Sequence, residues 1–238
     1  MRIYLFCFLY LSLLIPSYSQ DIPVNEGIEK DSLPPVFDPL YREDQFYTSL
    51  AYNLIQGKPS GYSQNSLSIN LTAGFLRDIP LNEKRNKAIA VGLGYSYNNI
   101  KHNLLINRLD DTRSYFVDTQ NTYDKNKLVL HYLELPVELR WRNSNAISHK
   151  FWRIYTGFKV SYLFADKAQY TFSNNKTTVT GNEDLNKFVY GVYISAGWNT
   201  WNLHAYYGLN PIFESGTLSN GDNVKIRSLN LGLMFYIL

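Results

Sequence analysis

Residues 88–98 alternate without a break. Ile89, Val91, Leu93, Tyr95 and Tyr97 are large and apolar, whereas Ala88, Ala90, Gly92, Gly94, Ser96 and Asn98 are small or polar. Successive side chains of a strand point to opposite faces, so this strand has one greasy face and one nearly bare face. A soluble sandwich places its bulk on the buried face and polar groups outside. Here the thin face suits the cramped inside of a small barrel, and the greasy face suits lipid. The same beat recurs and predicts strands over 45–55, 66–78, 88–98, 128–142, 151–164, 188–199, 202–210 and 225–238. Each is long enough to cross a bilayer when tilted, which takes ~9–11 residues. The expected fold is all-β, an eight-stranded antiparallel up-and-down transmembrane β-barrel over residues 43–238.

Composition narrows the class. Of 238 residues 45% are hydrophobic, yet mean hydropathy is −0.26. After residue 16 no apolar run approaches the ~20 residues a membrane helix needs, which excludes a helical membrane protein. Arg2, the apolar stretch Ile3 to Ile15 and the small residues Ser17 and Ser19 before Gln20 read as a signal peptide over 1–19. The only cysteine, Cys7, lies inside that stretch, so the mature chain forms no disulfide and is not a lipoprotein. Removing 1–19 takes away one cation, Arg2, and leaves 22 Lys plus Arg against 20 Asp plus Glu. So small an excess gives no argument for nucleic acid. Residues 20–42 are polar with four prolines and read as a flexible periplasmic tail.

The connections alternate in length. Those after strands 1, 3, 5 and 7 (56–65, 99–127, 165–187, 211–224) are long and polar, and those after strands 2, 4 and 6 (79–87, 143–150, 200–201) are short. Outer-membrane barrels have long outside loops, short periplasmic turns and both termini in the periplasm. All four tryptophans, Trp141, Trp152, Trp198 and Trp201, fall at the expected periplasmic strand ends. Trp152 to Tyr162 and Phe188 to Trp198 each span ten residues. At ~40° tilt that is about 25 Å, the expected separation of two aromatic girdles. The last strand carries Asn230, Gly232, Phe235 and Ile237 in a polar-x-Gly-x-x-hydrophobic-x-hydrophobic pattern, similar to the insertion signal that the outer-membrane insertion machinery reads.

Eight strands leave room only for side chains, so no open channel is expected. If Leu133, Leu135, Val137, Leu139 and Trp141 face lipid, then Glu134, Glu138, Arg140 and Arg142 face inward, as do Arg153 and Lys159 on the next strand. Charges in such an interior must be paired. The expected pairing sets Glu134 and Glu138 against Lys159 and Arg153. Two readings stand: a structural ion network that plugs the lumen, or a gate or proton path. The alternating charges of Tyr41, Arg42, Glu43 and Asp44 read either as closing the periplasmic rim or as docking a partner. His102, His131, His149 and His204 form no metal spacing, and no nucleophile–histidine–carboxylate group or Gly-rich phosphate loop is visible. The expectation is a chain without catalytic, metal or cofactor-binding residues.

Several blocks say more than a generic barrel pattern. They are Tyr-Arg-Glu-Asp-Gln-Phe-Tyr at 41–47, Lys-Pro-Ser-Gly-Tyr-Ser-Gln-Asn at 58–65, and Leu-Gly-Tyr-Ser-Tyr-Asn at 93–98. Further blocks are Glu-Leu-Pro-Val-Glu-Leu-Arg-Trp-Arg at 134–142, Phe-Trp-Arg-Ile-Tyr-Thr-Gly-Phe-Lys at 151–159, and Asn-Thr-Trp-Asn-Leu-His-Ala-Tyr-Tyr-Gly-Leu-Asn-Pro at 199–211. In these the chain resembles the PorT family of Bacteroidota outer-membrane barrels, called SprT in gliding bacteria, over residues 41–238. The long loops read as free to vary. The resemblance implies an accessory role in the type IX secretion system, which exports cargo bearing a C-terminal signal domain and, in gliding species, surface adhesins. It implies outer-membrane lipid and other components of that system as partners. The alternative is a structural or adhesive barrel whose loops 99–127 and 165–187 bind a ligand, and a small porin is a third reading.

Overall fold

The structure is a computed structural model that describes residues 44–64, 66–109, 112–120, 122–143 and 152–237. The expected signal peptide, the 20–42 tail, and Tyr41, Arg42, Glu43 and His149 lie outside these residues. Eleven strands are present among them: β1 Gln45–Gln56, β2 Ile69–Pro80, β3 Lys87–Lys101, β4 Leu104–Leu109, β5 Thr112–Val117, β6 Lys125–Arg142, β7 Trp152–Phe172, β8 Asn175–Thr180, β9 Phe188–Trp198, β10 Trp201–Gly208 and β11 Arg227–Ile237. Eight of them close a barrel in the order β1-β2-β3-β6-β7-β9-β10-β11, each antiparallel to its neighbours, with β11 returning to β1 from Phe46↔Ile237 to Gln56↔Arg227. The alternation that opened the sequence is the pleat of β3: Ala88, Ala90, Ser96 and Asn98 are buried inside, while Val91, Leu93 and Tyr95 face out.

Outward faces form a continuous apolar band. On β6 it runs Leu133, Leu135, Val137, Leu139 and Trp141, all exposed, and on β9 it runs Phe188, Tyr190, Val192 and Ile194. Such a surface is unsupportable in water and is what a bilayer requires. Trp152 meets Trp198 edge-on at 5.5 Å and Trp201 meets Phe235 at 5.2 Å, so the four tryptophans share one rim. Inward glycines make space for inward rings. A Cβ on Gly157 would lie 2.5 Å from Tyr193 Cζ, and one on Gly94 would strike the Tyr47 hydroxyl. Pro136 sits mid-strand on β6, and the β3–β6 ladder omits the two rungs there, between Val91↔Val137 and Gly94↔Glu134, because proline has no N–H to give. A bulge at Phe164 reverses the parity of β7. Below it the odd residues up to Leu163 point inward, and beyond it Asp166 and Ala168 do.

The end opposite the tryptophans holds more structure than long polar connections alone imply. β7 continues to Phe172 and hairpins back through β8, and β4 pairs with β5 inside the connection after β3. All four long connections send apolar side chains into one buried cluster, including Tyr62, Leu104, Ile106, Tyr115, Val179, Leu185, Ile212, Phe213 and Val224. Asn103 ties the first connection to the second by accepting from Ser63 N–H at 2.7 Å and donating to Gly61 O at 2.9 Å. Tyr115 ties the second to the third, donating to Asp184 Oδ2 at 2.6 Å, and packs edge-on against Phe213 of the fourth. The connections therefore form a folded cap over the barrel, because polar surface residues conceal an apolar inner face in each.

His102 is buried beneath this cap, where its Nδ1 accepts from Leu104 N–H at 3.0 Å and its ring stacks on Tyr62. Loss of solvent holds its pKa down from 6.5 to about 4. An opened cap takes up a proton near pH 6.5, but the closed cap takes it up only near pH 4. Cap stability therefore falls as pH drops through that window and levels off below it, by on the order of 3 kcal/mol. Hydrogen-exchange protection factors at Tyr62 and Leu104, taken relative to the intrinsic rate at each pH, should fall between pH 7 and 4, and His102→Gln should flatten that dependence.

Candidate functional site

The inward faces of β2, β6 and β7 bring seven charged groups into the barrel's interior. Near the tryptophan rim Asp78 receives two guanidinium groups. Arg142 grips it with both terminal nitrogens, at 2.8 Å to each carboxylate oxygen, and Arg140 reaches it at 3.0 Å. Arg140 also donates from Nε to Glu138 at 2.8 Å. The other oxygen of Glu138 accepts from the Tyr193 and Tyr236 hydroxyls at 3.0 and 3.1 Å. All four side chains are fully enclosed or nearly so. One step further in, Lys159 donates to both oxygens of Glu134 at 2.9 and 3.0 Å and lies over the Tyr206 ring. Arg153 faces Tyr155 and Tyr236, with its guanidinium carbon 5.8 and 5.5 Å from their centroids.

Glu134 and Lys159 thus meet as the pairing rule expects. Glu138 pairs with Arg140, two residues along its own strand. The reason is the third carboxylate. Asp78 draws in both Arg140 and Arg142, and Arg140 bridges it to Glu138. Reasoning from the sequence missed Asp78, although a signal was present: with Leu71, Ala73, Phe75 and Ile79 facing lipid, Asp78 must point inward.

Above the charges runs an amide layer, in which Asn53 donates to Asn98 at 3.0 Å and Asn70 donates to Ser96 at 2.9 Å and Asn98 at 3.1 Å. Between the layers a lumen cavity of about 10 Å³, walled by Tyr47, Glu134, Lys159, Tyr193 and His204, holds no more than about one water. At the entrance Asp44 accepts from Asp78 N–H at 2.8 Å and pairs with Arg77 at 2.8 Å on the rim. Of the insertion-signal residues, Asn230 is buried inside opposite Asn53, Gly232 abuts the Leu50 and Ala51 backbone, Phe235 packs on Trp201, and Ile237 is exposed.

A buried carboxylate between two arginines cannot be removed cheaply, since both cations then stay in a dry interior. Asp78→Asn should destabilise the barrel by about 3 kcal/mol or more. Glu134→Gln, which strands one lysine, should act in the same direction. Heat-modifiability on a gel, in detergent, measures both. An unchanged transition for either would remove that group from the structural network.

The family described as "Outer membrane protein beta-barrel domain" matches residues 19–214. The chain is similar to the crystal structure of Ail, the attachment invasion locus protein of Yersinia pestis, in complex with the heparin analogue sucrose octasulfate, at 12% identity over 83% of this chain and 100% of that one, with a TM-score of 0.39. It is also similar to Neisserial surface protein A, at 12% identity over 81% of this chain and 96% of that one, with a TM-score of 0.35. No curated protein matches it.

Proposed function

The chain belongs to the outer membrane protein β-barrel domain family, and from that premise we propose that it is a non-enzymatic accessory component of the type IX secretion system, of the PorT and SprT kind. One observation carries the reading: the lumen is occupied by its own side chains, so cargo has no path through it and the protein acts through its surfaces. The blocks that resemble the family coincide with this interior. The 134–142 block holds Glu134, Glu138, Arg140 and Arg142; the 151–159 block holds Arg153, Tyr155 and Lys159; and Tyr62 of the 58–65 block sits in the cap core. In this reading the outer membrane holds the barrel with the tryptophan rim and both termini toward the periplasm and the cap outside. The 41–44 segment docks periplasmic components there, and the β11 pattern serves the insertion machinery.

A second reading has its own observation. The cap is a folded platform rather than a set of free loops, which suits an adhesive barrel that presents a fixed binding surface.

Deleting the gene in its own host, with a complemented strain and a leakage control, separates the two. Under the secretion reading, cargo with a C-terminal signal accumulates in the periplasm and returns to the medium on complementation. Normal export would contradict it and favour the adhesive platform. Orientation is checked independently. A membrane-impermeant maleimide should label Asn220→Cys in intact cells and should not label Lys84→Cys.

A further inference from the structure

Five lysines crowd one side of the barrel just beyond the apolar band at the cap end. Lys101 on β3 stands directly across from Lys127 on β6. Lys125 lies two residues away on the same face, opposite Thr171 of β7, and Lys176 of β8 pairs with that same threonine from the other side. Lys167 of β7 sits opposite Val129 of β6 and Thr180 of β8. All five point away from the lumen, and Lys101, Lys125, Lys167 and Lys176 each lie close enough to Lys127 to repel its ammonium. None of the five has an ion-pair partner among the described residues. Two acidic groups of the cap are engaged elsewhere: Asp184 with Tyr115 and Ser215, Glu183 with Arg113.

Folding gains nothing from gathering like charges on a solvated wall. The cluster's height explains it better. Tyr95, Tyr97, His131 and Phe164 form a ring-to-ring patch on the lipid-facing side of β3, β6 and β7. Lys101 and Lys127 each lie four residues beyond that patch, about 10 Å higher along tilted strands. Aromatic belts mark the level where hydrocarbon gives way to headgroups, and lysine stems reach several ångströms from it. Between Lys101 and Lys125 opens a cleft of about 260 Å³, lined also by Ser66, Tyr123 and one carboxylate, Asp124. It is roomy enough for a phosphate on a sugar, and Ser66 already accepts from Lys101 Nζ at 3.3 Å.

We propose that Lys101, Lys125, Lys127, Lys167 and Lys176 form a binding site for phosphorylated glycolipid headgroups of the surrounding leaflet. The five ammonium groups span β3 to β8, so one or two bound headgroups neutralise their repulsion and clamp the cap's strands to the membrane surface. Assignment of that leaflet to the cell exterior rests on the orientation proposed above; the lysine site itself does not.

The test uses purified full-length barrel in nanodiscs of phosphatidylcholine doped with bisphosphorylated lipid A, its dephosphorylated form, or neither. Lipid retained after transfer to detergent is read by native mass spectrometry. Wild type should retain the bisphosphorylated lipid and release the dephosphorylated one. Combined Lys101→Gln, Lys125→Gln, Lys127→Gln and Lys167→Gln should cut retention by roughly tenfold or more, Lys→Arg at the same positions should restore it, and Lys84→Gln with Lys87→Gln at the tryptophan rim should leave it unchanged. Heat-modifiability verifies that each variant is folded; should the fourfold variant not fold, the pairs Lys101→Gln/Lys125→Gln and Lys127→Gln/Lys167→Gln each lower retention in part. Equal retention by the glutamine variants, or by wild type for the dephosphorylated lipid, overturns the proposal. Displacement of the lipid by a few equivalents of inorganic phosphate overturns the lipid as ligand in favour of the free anion. Because lipid occupies both leaflets of the disc, failure here is distinct from failure of the secretion reading or of the orientation.

Discussion

The Asp78 carboxylate is the point on which the interior turns. Two arginines two residues apart on β6 must point the same way, because the strand's other face is given to lipid. In a narrow, dry lumen two guanidinium groups at that spacing repel strongly unless an anion lies between them. Asp78, delivered from β2 across β3, fills that place with a bidentate grip on Arg142 and a single bond to Arg140, and Glu138 closes the chain from the other side. This fixes the relative height of β2 and β6, and so the stagger of the whole closed sheet. The glycines follow from the same confinement. With charged side chains and tyrosine rings filling the cross-section, the wall opposite Tyr47 and Tyr193 has no room for a Cβ, and Gly94 and Gly157 stand there.

What the sequence made legible was whatever depends on a strand's own pleat. The eight barrel strands, their lipid faces, the tryptophan rim and the inward set of β6 and β7 all follow from period-two alternation within one segment. Where the sequence reading fell short, the missing information lay between segments. The chain from Asp78 through Arg140 to Glu138 was not foreseen because register is invisible in alternation, and because Asp78 lies on a strand whose inward face is otherwise uncharged. The cap was read as polar loops since Leu104, Ile106 and Tyr115 are scattered among Asn, Asp, Arg and Lys. Each connection holds only a few buried residues, too few to register as a core until four connections pool them. The bulge at Phe164 belongs to the same class, because a parity change in one strand is defined by its partner's register.

The two ends of the barrel are built for different neighbours. The tryptophan end is interfacial: its rings meet edge to face and its turn at 199–200 is two residues long, with Asn199 at φ 54°. The other end rises well past the apolar band, carries its own apolar core, and gathers five lysines on one side. A filled lumen severs any aqueous link between these ends, so a signal or a partner acting on one reaches the other solely through the rigid wall. The Asp78 network, the amide layer and the cap stack on one another along the barrel's length and make that wall rigid. In a barrel with this construction the two unlike surfaces are the places where selection for function can act. The lysine wall is the part of those surfaces that folding does not explain, since neither the cap core nor the lumen network uses any of its five ammonium groups.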